Sequence, residues 1–183
     1  EDLVISFERD HRLMTHRQGG QLGGTVYHRD WETMSSNKGL EALAALPDGT
    51  LLAVGEGQQN GQYRTYQISP GGQVEKRLLP ADGVYLATGA DIGPDGRLYL
   101  LIRHFTVLTG VSARILRYDL DPEGWPIPAS RKRLARFSAR SGVDNMEGIA
   151  TWTDRAGRAR LTLISDDNFR GAQRTILIDM AID

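Results

Sequence analysis

A strand-rich unit of about fifty residues recurs along this chain, and the repeat constrains the fold more than any other feature of the sequence. Each copy has an apolar strand with a charged end, a loop, and an arginine that opens a second apolar strand. The charged ends are Glu8, Glu56, Arg103 and Asp166. Repeats of this size indicate units that bury their apolar faces against their neighbours.

Turn signals divide each unit into four short strands. Pro47-Asp48-Gly49 is followed 47 residues later by Pro94-Asp95-Gly96. Proline fixes φ and glycine tolerates positive φ, so both tripeptides predict tight turns between strands. The second unit shows the pattern best, with predicted strands at 40–46, 50–55, 63–69 and 73–79. We also expect one short helical turn within 28–38.

Four antiparallel strands in about 45 residues predict the blade of a β-propeller, an all-β fold. The chain is predicted to be a single domain over 1–183 that holds three to four blades. Propellers have about four to eight blades, so we expect the C-terminal portion of a larger ring whose N-terminal blades are missing here. A β-sandwich is the alternative, although a fixed repeat is not expected of a sandwich.

Composition narrows the classes of function. The chain has no cysteine, which excludes disulfides, thiolate metal sites and cysteine nucleophiles. Its formal net charge of −1 gives no electrostatic case for binding nucleic acid. There is no apolar run of the length that a membrane span needs, which is about 18 residues or more.

Acidic residues recur at equivalent positions of the repeat and are the strongest functional signal. Strand starts and ends converge around the central channel of a propeller, and carboxylates gathered there would attract a hard cation such as Ca²⁺. The predicted metal ligands are Glu41, Asp91, Glu147 and Asp167. The predicted catalytic residues are Glu41, Glu147, Asp166 and Arg103. The alternative is that each acid caps a turn or pairs with an arginine of the repeat.

The arginines form a second recurring set. Arginine binds phosphate or carboxylate through a two-pronged guanidinium, so one at a strand end could hold an anionic substrate. Arg103 ends a strand and is the candidate for that role, whereas Arg64 and Arg114 open strands. For those that open strands we favour salt bridges between blades, with partners such as Glu8, Glu56 and Asp166.

Four stretches of the chain, in order, resemble the phytase-like family, which is described as having esterase-like activity. They are NKGLEALA at 37–44, RHF at 103–105 leading to ARI at 113–115, DNMEGIA at 144–150, and LISDDNF at 163–169 followed by QRT at 173–175. The resemblance implies a bacterial propeller of six blades that is secreted or periplasmic. The resemblance also leads us to expect opening blades that precede this portion of the propeller.

Two functions follow from these observations. The first is a metal-assisted hydrolase of a small anionic ester or phosphoester, which acts at the channel mouth with Ca²⁺ as the metal and needs the remaining blades. The second is a propeller that binds a small ligand or a partner protein without catalysis. The fold does not decide between them, because function depends on the site.

Overall fold

A computed structural model describes residues 2–169, 171 and 173–182. These residues form fourteen β-strands and three short 3-10 helices, and no α-helix occurs among them. The all-β prediction is therefore confirmed. The 3-10 helices are Trp31–Thr33, Pro128–Ser130 and Ala139–Ser141. The first of them lies where the short helical turn was predicted.

The strands make four antiparallel sheets that follow one another along the chain. The first sheet is β1 (Leu3–Phe7), β2 (Arg12–His16) and β3 (Leu22–Val26). The second is β4 (Ala42–Ala45), β5 (Leu51–Gln59), β6 (Gln62–Ile68) and β7 (Val74–Pro80). The third is β8 (Leu86–Ile92), β9 (Leu98–Thr106), β10 (Gly110–Tyr118) and β11 (Lys132–Ser138). The fourth is β12 (Met146–Thr153), β13 (Ala159–Ser165) and β14 (Leu177–Ala181).

The second and third sheets are the four-stranded antiparallel units that the repeat predicts. The first and fourth sheets have three strands each, and the described residues do not close into a ring. The boundaries of the larger domain, and the blades expected before this portion, stay a prediction.

The two tripeptide turns are confirmed in atomic detail. Gly49 and Gly96 have φ of 85° and 72°, a conformation that glycine adopts without strain. Asp48 accepts a hydrogen bond from the backbone N–H of Thr50 at 2.9 Å, and Asp95 accepts one from that of Arg97 at 3.2 Å. The Asp-Gly pairs therefore set the hairpins that join the first two strands of each complete unit.

Apolar side chains fill the spaces between neighbouring sheets. Leu13, Trp31 and Tyr66 belong to the cluster between the first and second sheets. Strands β5 and β9 are buried on both faces over most of their length, which explains their continuous apolar sequence. The innermost strand β8 packs between β4 and β12, so the first strands of three sheets lie side by side.

Three of these strand pairs contain irregularities at nearly the same level. The register shifts between Val54 and Gln58 in β5, and it also shifts at 87–89 in β8 and at 146–148 in β12. Such bulges bend a strand and re-aim its side chains. No helix in the described part of the chain has the length and apolar character to cross a membrane.

Candidate functional site

Charged side chains gather at one end of the four sheets. In an antiparallel pair, the start of the first strand lies beside the end of the second. The repeat therefore brings the beginnings of β4, β8 and β12 next to the ends of β5, β9 and β13. The residues at this level, here called the acidic end, are Glu8, Glu41, Glu56, Arg103, Asn145, Glu147 and Asp166.

Three carboxylates form the core of the acidic end. Glu8, Glu41 and Glu56 each place one carboxylate oxygen within 4.8 Å of the other two. Glu56 is held in place because its backbone N–H donates to the carbonyl of Gly39 at 3.0 Å. Its side chain is buried, and its Oε2 has no hydrogen-bond partner among the described residues. Unpaired buried acceptors of this kind are uncommon in proteins, so this oxygen is a candidate to meet a water, an ion or a proton.

Arg103 joins this group to the fourth sheet. Its Nη2 lies 3.2 Å from Oε1 of Glu147 and 4.0 Å from Oε1 of Glu56. Its Nη1 donates to Oδ1 of Asn145, whose Nδ2 in turn donates to Oε1 of Glu147 at 2.6 Å. Arginine, amide and carboxylate thus form a fixed triangle beside the three clustered carboxylates.

Burial and mutual repulsion disfavour ionisation of these acids. The pKa of Glu41 rises from 4.5 to about 9, first because of burial and then because Glu56, Glu8 and Glu147 lie close. Burial also raises the pKa of Glu56, which Lys38 and Arg103 partly offset. Burial raises the pKa of Glu147 as well, against the opposing effect of Arg103. Glu41 therefore keeps a proton at neutral pH.

The strand irregularities coincide with the functional side chains. Glu56 lies inside the register shift between Val54 and Gln58, and Glu147 lies inside the one between Met146 and Gly148. A regular strand would turn successive side chains to alternate faces. The bulges change which way these side chains point, and both glutamates face Arg103. The regular alternation of side chains along β5 and β12 would not by itself bring both of them there.

Asp91 lies apart from the acidic end. It pairs with Tyr99 in the β8–β9 register, whereas Arg103 pairs with Leu86, five residues earlier in β8. At about 3.3 Å per residue this separation is roughly 16 Å. The Asp91 carboxylate accepts hydrogen bonds from the backbone N–H and the hydroxyl of Thr151, at 2.6 and 2.8 Å. It links two neighbouring sheets, which is a structural role other than the turn cap or the arginine salt bridge that the alternative for the acids expects.

Asp166 and Asp167 stabilise the loop after β13. Asp166 accepts a hydrogen bond from the N–H of Asn168, and Asp167 accepts one from the N–H of Phe169, both at 2.9 Å. Asp167 also accepts from the hydroxyl of Thr175 at 3.1 Å. Asp166 nevertheless lies close enough to Glu147 for its charge to raise the pKa of that glutamate. Among the described contacts, Asp166 affects the charge of the site, whereas Asp167 only stabilises the loop.

Three residues of this region were not among the predicted ligands. Glu8 and Glu56 were predicted only as charged strand ends that form salt bridges with the arginines of the repeat. His11 is buried, and neither ring nitrogen has a hydrogen-bond partner among the described residues. Its Nδ1 and the Cγ of Glu8 lie 3.5 and 3.4 Å from the point that a Cβ on Gly39 would occupy. The shared position of Glu8, Glu56 and Arg103 in the repeat was the signal that could have grouped them.

Fold and site together define an all-β repeat protein with a carboxylate-rich, arginine-bearing end. The profile of the Phytase-like family, described as "Esterase-like activity of phytase", matches residues 1–169. The chain belongs to this family, and the family description points to a hydrolase-like β-propeller.

Structural and curated relatives add little to this assignment. The chain is similar to a protein of unknown function from Bacteroides caccae, with 12% sequence identity and a TM-score of 0.46. That similarity covers 97% of this chain and 74% of the other. No curated protein matches the chain at a significant level.

Proposed function

We propose that this protein is a calcium-assisted hydrolase of anionic esters or phosphoesters, with its active site at the acidic end. The observation that carries the proposal is the placement of Glu8, Glu41 and Glu56 within 4.8 Å of one another, next to Arg103. Membership of the Phytase-like family supports the reaction class. The salt-bridge alternative accounts for Arg103 but leaves Glu8 and Glu41 without a cationic partner among the described residues.

The donor atoms suit a hard cation. Ca²⁺ takes six to eight oxygen ligands, mostly from carboxylates, carbonyls and water. Glu8, Glu41 and Glu56 would hold it, and the buried Oε2 of Glu56 would gain the partner that it lacks among the described residues. When bound, Ca²⁺ would polarise the ester or phosphoryl oxygen and stabilise the charge that develops there.

The remaining residues of the acidic end have distinct roles in this proposal. Arg103 binds the anionic group of the substrate, because its guanidinium carries more N–H donors than its contacts with Glu147 and Asn145 use. Glu147 accepts a proton from the attacking water at a carboxylate oxygen. Its raised pKa makes it a stronger base than an ordinary glutamate. Asn145 orients Glu147 by donating to its Oε1.

The proposal extends to the architecture and the location of the protein. The four sheets would be blades of a six-bladed propeller, and the acidic end would face the mouth of its channel. A secreted or periplasmic protein would meet Ca²⁺ at the concentrations that weak extracellular sites require, about 10⁻⁴ to 10⁻³ M. Family resemblance supports both points.

Calcium binding tests the first half of the proposal. Isothermal titration of the metal-free protein with Ca²⁺ is expected to show one site, and Glu56→Gln is expected to weaken it at least tenfold. Glu75→Gln provides the control, because Glu75 is an exposed acid on β7. Equal affinities in both variants, or no binding to the unsubstituted protein, would contradict the metal site.

Hydrolysis tests the second half. Cleavage of p-nitrophenyl phosphate and p-nitrophenyl acetate is expected only with Ca²⁺ present, and Arg103→Lys is expected to raise KM for the phosphate ester more than for the neutral acetate ester. Arginine holds an anion through two parallel hydrogen bonds, which lysine does not reproduce. Calcium binding without turnover of either ester would instead indicate a ligand-binding propeller.

A further inference from the structure

A separate cavity of about 460 Å³ lies beside β5, between the end of that strand and the segment around the first 3-10 helix. Gly55 and Gly57 line it, whereas Glu56 between them belongs to the acidic end. Volumes of 300 to 1,000 Å³ are typical of sites for small molecules. The other lining residues are Thr33, Met34, Ser35, Lys38, Gln58, Gln59 and Arg64.

The charge of this cavity is opposite to that of the acidic end. Its two charged lining residues are Lys38 and Arg64, and no carboxylate is among the described residues that line it. The ammonium of Lys38 makes no ion pair or hydrogen bond within the described part of the chain. Glu56 is the acid whose pKa it lowers, and that carboxylate lies outside the cavity lining.

Arg64 is fixed in position but keeps donors for a ligand. Its Nη1 donates to the hydroxyl of Thr33 at 2.7 Å and to the carbonyl of Asp30 at 3.2 Å. Both hydrogen bonds use Nη1, and no hydrogen bond from Nη2 occurs within the described part of the chain. The carboxylate of Asp30 is 4.0 Å from Nη1 and is itself bound by Lys76 at 3.1 Å. Asp30 therefore helps to fix the arginine and offsets part of its charge, but its carboxylate is not among the described residues that line the cavity.

The glycines keep the cavity open. A Cβ on Gly57 would lie 3.6 Å from Cδ of Lys38, an ordinary contact distance. A side chain at this position would therefore project toward the lysine and occupy space that is now free. The side chain of Gln58 does not fill this space, since its amide donates to the carbonyl of Tyr85.

We propose that this cavity is a phosphate-binding site, distinct from the acidic end. A preorganised guanidinium and a free ammonium in one cavity are the groups that bind phosphate oxygens in proteins. The proposal goes beyond the hydrolase function, because it needs neither the metal nor turnover. Its ligand class is a phosphate group, free or carried by a small molecule.

Lysine NMR offers a direct test, because the sequence has only three lysines, Lys38, Lys76 and Lys132. Reductive methylation with ¹³C-formaldehyde keeps their charge and gives each a resolvable signal, with Lys38 assigned by Lys38→Arg. Inorganic phosphate titrated into metal-free buffer is expected to shift the Lys38 signal saturably. The Lys76 and Lys132 signals should respond only to ionic strength. Acetate at the same ionic strength should shift Lys38 far less than phosphate.

A pair of substitutions at Gly57 separates charge from size. Gly57→Asn fills space beside Lys38 and is expected to weaken phosphate binding through size alone, whereas Gly57→Asp adds a carboxylate of nearly the same size and is expected to weaken binding at least tenfold more than Gly57→Asn does. Arg64→Gln should also weaken binding at least tenfold, with Arg77→Gln as the control from the next strand. The idea is overturned if phosphate moves all three lysine signals alike, or if Gly57→Asp and Gly57→Asn bind it equally.

Failure here would leave the hydrolase proposal untouched, because the measurement contains no calcium and no ester. Conversely, a protein that binds phosphate at Lys38 but takes no Ca²⁺ would retain this site and lose the proposed enzyme.

Discussion

Replacing Glu41 by glutamine is expected to remove a pH-dependent loss of stability. Burial and the neighbouring carboxylates raise the pKa of Glu41 from 4.5 to about 9. Between these two pH values the folded protein holds a proton that the unfolded chain has released. Folding stability therefore falls as the pH rises through this window, by at most about 1.4 kcal/mol per pH unit.

The expected size of the effect follows from the same shift. From pH 5 to pH 8 the upper limit is about 4 kcal/mol, because three pH units lie inside the window. Glu41 is only half-buried, and solvent screens the repulsion from its neighbours. We therefore expect about 2 kcal/mol of the loss in the unsubstituted protein to be absent from Glu41→Gln.

Urea unfolding at pH 5, 6.5 and 8 in metal-free buffer measures this difference. The midpoint of the unsubstituted protein should fall more steeply with pH than that of Glu41→Gln, at unchanged m-value. Glu75→Gln, which removes an exposed acid, should follow the unsubstituted protein. Parallel pH profiles for the unsubstituted protein and Glu41→Gln would refute the reasoning.

Two further substitutions test how the sheets position the site. Gly148→Ala would place a Cβ 2.6 Å from Cγ2 of Ile164, so we expect a loss of about 2 kcal/mol in urea unfolding, largely restored by Ile164→Ala in the double variant. Asp91→Ala should lower stability by about 2 kcal/mol by leaving the Thr151 N–H unpaired, while the Thr151 hydroxyl keeps the Ile92 carbonyl as acceptor, and it should leave Ca²⁺ affinity unchanged in calorimetry. A tenfold loss of that affinity would instead assign Asp91 to the metal site.

The sequence predicts the sheets well because the repeat and the turns act locally. Pro47-Asp48-Gly49 fixes a hairpin whatever surrounds it, and the predicted strands 40–46, 50–55, 63–69 and 73–79 match β4 to β7 within a few residues. The same logic brings Glu41, Glu147 and Arg103 to one level, since starts of first strands lie beside ends of second strands.

It is harder to predict which acidic residues belong to the site. This depends on the position of each acid along its strand and on the face of the sheet to which its side chain points. In the first-strand segment of the third sheet, Asp91 comes only a few positions later than Glu41 does in that of the second sheet. Each residue of a strand adds about 3.3 Å, so this small offset places Asp91 away from the acidic end. Glu56 and Glu147 reach Arg103 through bulges, which change the facing of side chains and leave no clear mark in the sequence.

The acidic end holds more negative charge than its one arginine neutralises. Arg103 is already shared between Glu56 and Glu147, so it does not also neutralise Glu8 and Glu41. A proton on Glu41 relieves the repulsion at neutral pH, and a cation among the same carboxylates would relieve it in another way. Because ligands must be deprotonated, the proposed cation would compete with the proton, and its uptake would release the proton. If the proposed cation binds here, its affinity should rise with pH over the range in which the stability of the metal-free protein falls.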